Sequence, residues 1–136
     1  MFAVAREEAN DLVRPVPLSI LGSDRDPHCI ELCKRHAKKA GVTVNWAVRP
    51  VEELTDSREG GLIVCNPPYG ERLLNQKSAE KLYAVMRERF DGLSRWKKSI
   101  ISGYKNFETA YGKKADARRN LSNGGMPCTL YQYFRF

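Results

Sequence analysis

The sequence has no apolar run approaching the roughly 18 residues that a membrane-spanning helix needs. Its N-terminus includes Glu7 and Glu8 and has no long apolar core, which argues against a secretory signal peptide. It also lacks a Cys-x-x-Cys pair, an internal repeat and a low-complexity linker. These absences disfavour membrane proteins, disulfide-rich secreted domains and repeat proteins, and we expect a cytoplasmic protein. The length of 136 residues corresponds to one domain or part of one.

Four cysteines are too few and too widely spaced for a disulfide framework. Cys29, Cys33 and His36 do fall at i, i+4 and i+7, on one face of a helix, where they could bind a metal ion. The same face continues through the apolar Ile30 and Ala37, and a free cysteine behaves as a small buried hydrophobe. We therefore interpret these cysteines as structural and predict no metal site.

The chain is basic, with 23 Lys and Arg against 16 Asp and Glu, a net charge of +7. Much of the excess lies in clusters at 33–39, 94–98 and 112–120. Such clusters attract phosphate polyanions and make their binding salt-dependent. An ordinary solvated surface has the same composition, so the charge permits an RNA or DNA substrate without requiring one.

Short apolar segments alternate with helical ones along the chain. We expect a leading segment at 1–17 with a short helix at 3–11, and an α/β core at 18–136. The predicted core elements, in order, are a strand at 18–24, a helix at 26–40, a strand at 42–48, a polar loop with one helical turn at 51–60, a strand at 61–65, a helix at 79–90, a strand at 98–102, a short helix at 106–112 and a β-hairpin. This alternation predicts a mostly parallel sheet with an antiparallel hairpin at its C-terminal end.

Capping residues mark the ends of the two long helices. Asp26 followed by Pro27 is typical of a helix start, and Gly41 is suited to the left-handed position that ends a helix. Ser78 is expected to cap the helix at 79–90. The residues that this second helix should bury are Leu82, Val85, Met86 and Phe90.

The strands carry their own patterns. The segments 18–24 and 61–65 are predicted to be buried strands, the second on both faces because it is a continuous apolar run. Asn123-Gly124 is the hairpin signal. In the last strand, alternation places one set of side chains on each face: Cys128, Leu130, Phe134 and Phe136 on one, Thr129, Tyr131, Tyr133 and Arg135 on the other.

Two polar sequences follow predicted strands, at the edge where an open α/β sheet binds its ligands. The first is Gly22-Ser23-Asp24. A carboxylate at this position can accept hydrogen bonds from both hydroxyls of a ribose. Helix capping is the alternative role, but Asp26 stands beside Pro27 and suits that role better, which leaves Asp24 for a ligand.

The second sequence is Asn66-Pro67-Pro68-Tyr69. Two consecutive prolines fix two φ angles and stiffen the loop, so the Pro67 carbonyl and the Asn66 side-chain oxygen are presented as a pair of acceptors. Two acceptors match the two hydrogens of an exocyclic nucleobase amine. Tyr69 offers a flat face on which an extruded base can stack, worth roughly 1–3 kcal/mol. A proline-rich turn with a tyrosine plugging the core explains the same residues equally well.

The longer pattern resembles a known family. "NPPYGERL" (66–73) is similar to the Asn/Asp-Pro-Pro-Tyr/Phe motif of class I S-adenosylmethionine-dependent methyltransferases that act on exocyclic amines. Together with "GSDRDP" (22–27), "LY" (82–83), "FETAYGKKA" (107–115) and "LSNGGMPCTLYQY" (121–133), it resembles bacterial 23S rRNA guanine-N2 methyltransferases, a THUMP-associated family of RNA methylases. The likeness extends over nearly the whole chain from residue 18.

The resemblance implies a Rossmann-like fold, S-adenosyl-L-methionine as cofactor and ribosomal RNA as partner. Asp24 would hold the cofactor ribose, and Asn66 would line the cofactor site as well as grip the target amine with the Pro67 carbonyl. Tyr69 would stack on the guanine, and Pro68 and Arg72 would contact RNA. An ion pair between Arg72 and Glu71 is an equally supported role for that arginine.

Two features depart from the family pattern. Pro50 stands about where the family has an acid that recognises adenine, although Glu52 and Glu53 are close by. The glycine-rich loop of the type DPFCGSGT, with the strand before it, has no counterpart, since the first glycine is Gly22. We therefore expect a partial methyltransferase domain that completes its sheet with another segment, by self-association or by a changed strand order, and that binds cofactor weakly alone.

Three functions follow from these observations. The first is methylation of guanine N2 in 23S rRNA. The second is a catalytically inactive RNA-binding or interaction module that retains the loop and the basic surface. The third is methylation of adenine N6 in DNA or RNA, because an Asn-Pro-Pro-Tyr loop suits either amine.

Overall fold

The computed structural model describes residues 2–14, 16–69 and 75–136. The chain forms two compact units, residues 1–48 and 49–136. The elements of the first unit are α1 (Phe2–Asp11), β1 (Leu21–Asp24), α2 (Pro27–Ala40) and β2 (Asn45–Val48). Those of the second are a 3-10 turn (Val51–Glu53), β3 (Gly61–Cys65), α3 (Gln76–Asp91), β4 (Trp96–Ser102), α4 (Phe107–Tyr111), β5 (Ala117–Asn123) and β6 (Met126–Tyr133). This order confirms the predicted alternation.

In the first unit, α2 begins and ends where the sequence predicts. The Asp26 side chain accepts a hydrogen bond from the His28 backbone N–H at 2.8 Å, and Pro27 occupies the first turn. Gly41 ends the helix at a φ of 68°, in the left-handed region where a side chain would be strained. Helix α1 matches the predicted helix at 3–11, and its described residues are exposed.

The two strands of the first unit pair in parallel, and each is shorter than predicted. Regular pairing covers four residues per strand, from Leu21 opposite Asn45 to Asp24 opposite Val48. The prediction that β1 is buried is wrong, since Leu21 is 56% exposed. Its Gly22 contributes no side chain, and the Trp46 ring occupies the space where one would lie, with a ring carbon 2.2 Å from an ideal Cβ position.

The second unit contains a four-stranded mixed sheet in the order β3-β4-β6-β5. Strands β3 and β4 are parallel, whereas β6 is antiparallel to both β4 and β5. One face of the sheet packs against α3 and α4 through a core rich in aromatic rings. The buried members of that core are Ala79, Tyr83, Met86, Phe90, Ile100, Phe107, Tyr111, Tyr131 and Tyr133.

Strand β3 is buried on one face only, so the prediction of burial on both faces is wrong. Ile63 and Cys65 pack against the core, while Leu62 and Val64 are 58% and 66% exposed. Both helices of this unit contribute to the core on the Ile63 side, and alternation turns Leu62 and Val64 the other way. A continuous apolar run therefore does not guarantee that both faces are covered.

Asn75, rather than Ser78, caps α3. The Asn75 side-chain oxygen accepts a hydrogen bond from the Ser78 backbone N–H at 2.9 Å, so the helix starts at Gln76. Asparagine and serine are both good capping residues, and the sequence alone does not decide between two within four positions. Met86 and Phe90 are buried as predicted, and Leu82 and Val85 are half-buried.

The hairpin turns one residue later than predicted. Gly124 and Gly125 form the two-residue turn with φ angles of 57° and 84°, and Asn123 pairs with Met126 at the end of the ladder. Positive φ at both central positions is the type I′ requirement, which two glycines meet without strain. In β6, Tyr131 and Tyr133 turn toward the core, so the predicted alternation is confirmed within the strand.

Within the described ranges, no helix is both long enough and apolar enough to cross a bilayer.

Candidate functional site: the loop after β3

The Asn-Pro-Pro-Tyr segment lies in the second unit, directly after β3 ends at Cys65. Asn66 is exposed, Pro67 is buried, and Pro68 and Tyr69 are half-buried. Proline lacks the backbone N–H that would extend the pairing of β3, and the strand ends here because two prolines follow one another. The loop thus begins at the carboxyl end of a parallel strand, as predicted.

Asn66 and Tyr69 are joined by a hydrogen bond. The Tyr69 hydroxyl donates to the Asn66 side-chain oxygen, Oδ1, at 2.6 Å. An aromatic face and an amide acceptor therefore lie side by side at the start of the loop. These are the two groups that the sequence assigns to stacking on a base and to gripping its amine.

The Tyr69 ring is held against the end of β4 and the hairpin. A Cβ placed on Gly103 would lie 3.0 Å from Tyr69 Cδ2 and 3.4 Å from the Pro127 carbonyl oxygen. Burial raises the pKa of Tyr69, and its hydrogen bonds with the Asn123 and Asn66 side chains oppose the rise. The neutral phenol is thus the form present near neutral pH, with a hydroxyl able to donate.

Pro68 is tied to α3. The Tyr83 hydroxyl donates a hydrogen bond to the Pro68 backbone carbonyl at 2.7 Å. This bond goes to the carbonyl of Pro68 and not to that of Pro67, which the sequence assigns to the target amine. Since Tyr83 belongs to the aromatic core, this hydrogen bond attaches the loop to that core.

Arg72, with residues 70–74, lies outside the described residues, and its role as an RNA contact stays a prediction.

Asp24 lies in the first unit, at the carboxyl end of β1 as predicted. Its Oδ1 accepts a hydrogen bond from the Asp26 backbone N–H at 2.8 Å, which orients the carboxylate, and the residue is exposed. An ionised carboxylate has about four acceptor sites. One backbone bond leaves capacity for two ribose hydroxyls, so the residue fits the predicted ligand. Pro50, where the family has its acid, precedes the 3-10 turn at 51–53 that contains Glu52 and Glu53.

Comparison with known proteins identifies the family. The family model described as "RMKL-like, methyltransferase domain" matches residues 1–132. The chain belongs to this family. It is 38% identical over 120 residues, 87% of its length, to the "Putative RNA methyltransferase YpsC" of Bacillus subtilis. It is 32% identical over 132 residues, 93% of its length, to the "Ribosomal RNA large subunit methyltransferase K/L" of Legionella pneumophila strain Corby.

A solved structure supports the same assignment of the RMKL-like chain. The crystal structure of SMU.472, a "putative methyltransferase complexed with SAH", superposes with a TM-score of 0.88 at 32% identity, over 97% of this chain. The predicted Rossmann-like methyltransferase fold and the predicted membership of a methyltransferase family are therefore confirmed. The RMKL-like chain spans 31% of the Bacillus relative, 18% of the Legionella relative and 36% of SMU.472.

Three residues that contact the loop of the RMKL-like chain were not predicted as site residues: Tyr83, Gly103 and Asn123. Tyr83 does lie in the "LY" block of the family pattern, but a tyrosine at helical spacing within an apolar stripe is also an ordinary core residue. Gly103 and Asn123 are brought to Tyr69 by the pairing of β4 with β6 and of β6 with β5. Only the tertiary fold reveals that proximity. Among the described residues, no group of three His, Cys, Asp or Glu side chains is arranged to hold a metal ion.

Proposed function

We propose that the chain contributes to the S-adenosylmethionine-dependent methylation of an exocyclic nucleobase amine, with guanine N2 of 23S ribosomal RNA as the substrate. The observation that carries the proposal is the pairing of Tyr69 with Asn66 in a diproline loop at the carboxyl end of β3. A stacking face and an amide acceptor stand there within one hydrogen bond of each other. A structural turn needs neither an exposed asparagine nor a half-exposed tyrosine at that place.

The loop would act by orienting the amine. The amino nitrogen of guanine is a poor nucleophile because its lone pair is delocalised into the ring. If the Asn66 side-chain oxygen and the Pro67 carbonyl each accept one of its hydrogens, the nitrogen is drawn toward a tetrahedral geometry and its lone pair becomes available. Stacking on Tyr69 would fix the plane of the base. Catalysis of this kind relies on positioning the reacting groups, which is what a stiff loop provides.

Asp24 is the residue of this chain that we assign to the cofactor. Its exposed carboxylate would accept the ribose hydroxyls, and Asn66 would line the cofactor site as well as the base site. S-adenosylmethionine, when bound, supplies an activated methyl group. The SAH complex of the similar protein SMU.472 supports this choice of cofactor.

Ribosomal RNA is favoured as the substrate by charge and by relatives. The net charge of +7 suits a phosphate polyanion. A Legionella pneumophila relative is named a ribosomal RNA large subunit methyltransferase, and a Bacillus subtilis relative is named an RNA methyltransferase. A ribosomal substrate in turn implies a cytoplasmic protein. Pro68 and Arg72 remain our assignments for contacts to the RNA.

The open edge of β3 suggests a strand-supplying partner. Among the residues that the structure describes, β3 is an edge strand of the order β3-β4-β6-β5, and an edge exposes unpaired backbone groups. We propose that a further strand pairs there, supplied by another polypeptide segment or by a second copy. Light scattering of the chain alone separates the two: a dimer supports the second copy, and a monomer supports another segment.

The experiment that tests the function is methyl transfer to 23S rRNA transcribed without modification. The full polypeptide that carries this chain in its genome is incubated with S-adenosylmethionine labelled in its methyl group, and the RNA is digested to nucleosides. Labelled N2-methylguanosine supports the proposal, and its loss in Asn66→Ala but not in the control Glu88→Ala, an exposed residue of α3, would assign recognition of the amine to this loop. N6-methyladenosine would overturn the guanine assignment.

The same assay distinguishes the inactive module. A polypeptide that binds the rRNA and S-adenosylmethionine but transfers no methyl group under any substrate condition contradicts the proposed activity. Failure to bind S-adenosylmethionine, measured calorimetrically with that same full polypeptide, favours the binding module. Loss of cofactor affinity in Asp24→Asn, with RNA affinity retained, would support the ribose contact.

A further inference from the structure

One backbone torsion of the diproline loop is left free by its own sequence. The pyrrolidine rings fix φ at Pro67 and Pro68. The ring of Pro68 also restricts ψ of Pro67 to the extended region, because a residue that precedes proline is excluded from the helical one. The remaining soft torsion is ψ of Pro68, which sets both the direction of its carbonyl and the direction in which the chain leaves toward Tyr69.

We propose that Tyr83 is a positioning residue for the target base, because its hydroxyl fixes that torsion through the Pro68 carbonyl. The hydrogen bond, at 2.7 Å, joins residues 15 positions apart and connects α3 to the loop. The inference rests on the function proposed above and adds a residue to its site. Tyr83 acts through Pro68 and does not itself touch the base.

The donor is rigid. Tyr83 is fully buried, and its ring packs edge-on against Phe107, with centroids 5.0 Å apart, and in a tilted arrangement against Tyr104, with centroids 5.7 Å apart. A side chain held on two sides by aromatic rings has little rotamer freedom to lose. The hydroxyl position is therefore set by the core of the second unit, and the carbonyl follows it.

The hydroxyl is also oriented. Ser102, 1% exposed at the end of β4, is a side-chain hydrogen-bond partner that acts to lower the pKa of Tyr83, against the larger effect of burial, which raises it. Ser102 Oγ in turn accepts the Tyr104 backbone N–H at 3.1 Å. Because Tyr83 donates its single hydroxyl proton to Pro68, Ser102 can hydrogen-bond to it only as the donor. Consecutive hydrogen bonds of this polarity strengthen one another.

The fixed torsion of Pro68 preorganises Asn66 and Tyr69 for binding of the base. With ψ of Pro68 held, Tyr69 leaves the prolines in one direction, and its hydroxyl reaches Asn66. Without the Tyr83 hydroxyl, the loop would have to be ordered each time a base binds. Ordering the backbone of one residue upon binding weakens the affinity by a factor on the order of tenfold.

The test measures recognition of the amine itself. Inosine is guanosine without the 2-amino group, so competition between two short uridine-rich RNAs that differ only in one guanosine or one inosine reports on the amine contact. The full polypeptide is used, with fluorescence anisotropy of a labelled RNA as the readout. We expect a preference for guanosine in the wild type, and a reduction of that preference by roughly tenfold in Tyr83→Phe.

Tyr133→Phe is the matched control. It also removes a buried tyrosine hydroxyl that donates to a backbone carbonyl, that of Lys113 at 3.1 Å, from the same aromatic core. It should keep the guanosine preference. If Tyr83→Phe and Tyr133→Phe retain the same preference, Tyr83 is only structural and the inference is wrong. If the wild type shows no preference, the proposed amine recognition itself fails, which is a different result.

A second variant covers the case in which Tyr83→Phe does not fold. Ser102→Ala leaves the Tyr83 hydroxyl and its bond to Pro68 in place but removes a second side-chain partner of that hydroxyl. We expect a folded protein whose guanosine preference falls in the same direction, by a smaller factor. An unchanged preference in Ser102→Ala, together with an unfolded Tyr83→Phe, would overturn the positioning role.

Discussion

The hydroxyl of Tyr69 donates to the side-chain oxygen of Asn66 at 2.6 Å, and this oxygen is the acceptor that we assign to the target amine. The tyrosine therefore uses, through its hydroxyl, one of the two lone pairs of the oxygen that the base amine would use. A base amine that binds Asn66 in the proposed manner shares this oxygen with the hydroxyl or displaces it, so the two donors compete. The same residue supplies the stacking surface, so its hydroxyl opposes the binding of the base while its ring supports it.

Replacement of Tyr69 by phenylalanine should separate those roles. Tyr69→Phe keeps the ring and removes the competing donor, whose net contribution is about 0.5–1.5 kcal/mol, so we expect affinity for a guanosine-containing RNA to rise by about threefold. Tyr69→Ala loses the stacking surface and should bind more weakly by at least about fivefold. Both affinities are measured by anisotropy. Equal weakening by the two substitutions would show that the hydroxyl assists binding and does not compete.

The close contact at Gly103 predicts a second effect on the loop. A Cβ at this position would lie 3.0 Å from Tyr69 Cδ2 and 3.1 Å from Cε2, so in Gly103→Ala the ring must shift by a few tenths of an ångström. We expect base binding to weaken by about threefold to tenfold, as part of the stacking is lost. Gly92→Ala is the control, since its Cβ would meet the Arg89 carbonyl at an ordinary 3.4 Å. Equal RNA affinities in the two variants would contradict the prediction.

Removal of the hydroxyl from two core tyrosines, Tyr111 and Tyr133, should affect the free energy of unfolding differently. Among the described residues, none hydrogen-bonds the buried hydroxyl of Tyr111, and burial raises its pKa. An unsatisfied buried hydroxyl is costly, so Tyr111→Phe should leave the free energy of unfolding unchanged or raise it. Tyr133→Phe, which loses the bond to Lys113, should lower it by about 1 kcal/mol. Urea denaturation measures both, and a Tyr111→Phe variant as destabilised as Tyr133→Phe would be evidence against this account.

The helices and strands were predictable where local chemistry decides them. Asp26, Pro27 and Gly41 fix α2, because a cap, a restricted φ and a left-handed C-cap each act within a few residues. The start of α3 was predicted wrongly, since Asn75 and Ser78 are both competent caps and the structure uses Asn75. The hairpin moved by one residue because Gly124-Gly125 satisfies the type I′ turn better than Asn123-Gly124 does.

The burial of β3 and the surroundings of the loop could not be predicted locally. Leu62 and Val64 are exposed because of which helices cover the sheet, and a single strand holds no information on that. The position of Asn66 at a strand end was predictable from the apolar run before it. Its partners Tyr83 and Gly103 depend on long-range packing, so they emerge only from the folded chain.

The carboxylate of Asp116 connects the acid stability of the protein to the end of the chain. Asp116 precedes β5, and its Oδ2 accepts hydrogen bonds from the backbone N–H groups of Phe134 at 2.7 Å and Arg135 at 2.9 Å. These bonds, that of Arg135 being the stronger influence, lower the pKa of Asp116 from its ordinary 3.8. A carboxyl group with a lowered pKa stabilises the folded state above its unfolded pKa, and that contribution is lost as the pH falls through the folded value.

Wild-type stability should therefore decline below about pH 4, where the unfolded chain begins to take up a proton that the folded chain excludes. In Asp116→Asn the free energy of unfolding should be lower at pH 7, and its fall between pH 7 and pH 3 should be shallower, so that the two proteins converge in acid. Urea midpoints across this range measure the difference. Parallel curves with a constant offset would mean that Asp116 supports the C-terminal residues by geometry alone, since its charge would then contribute nothing.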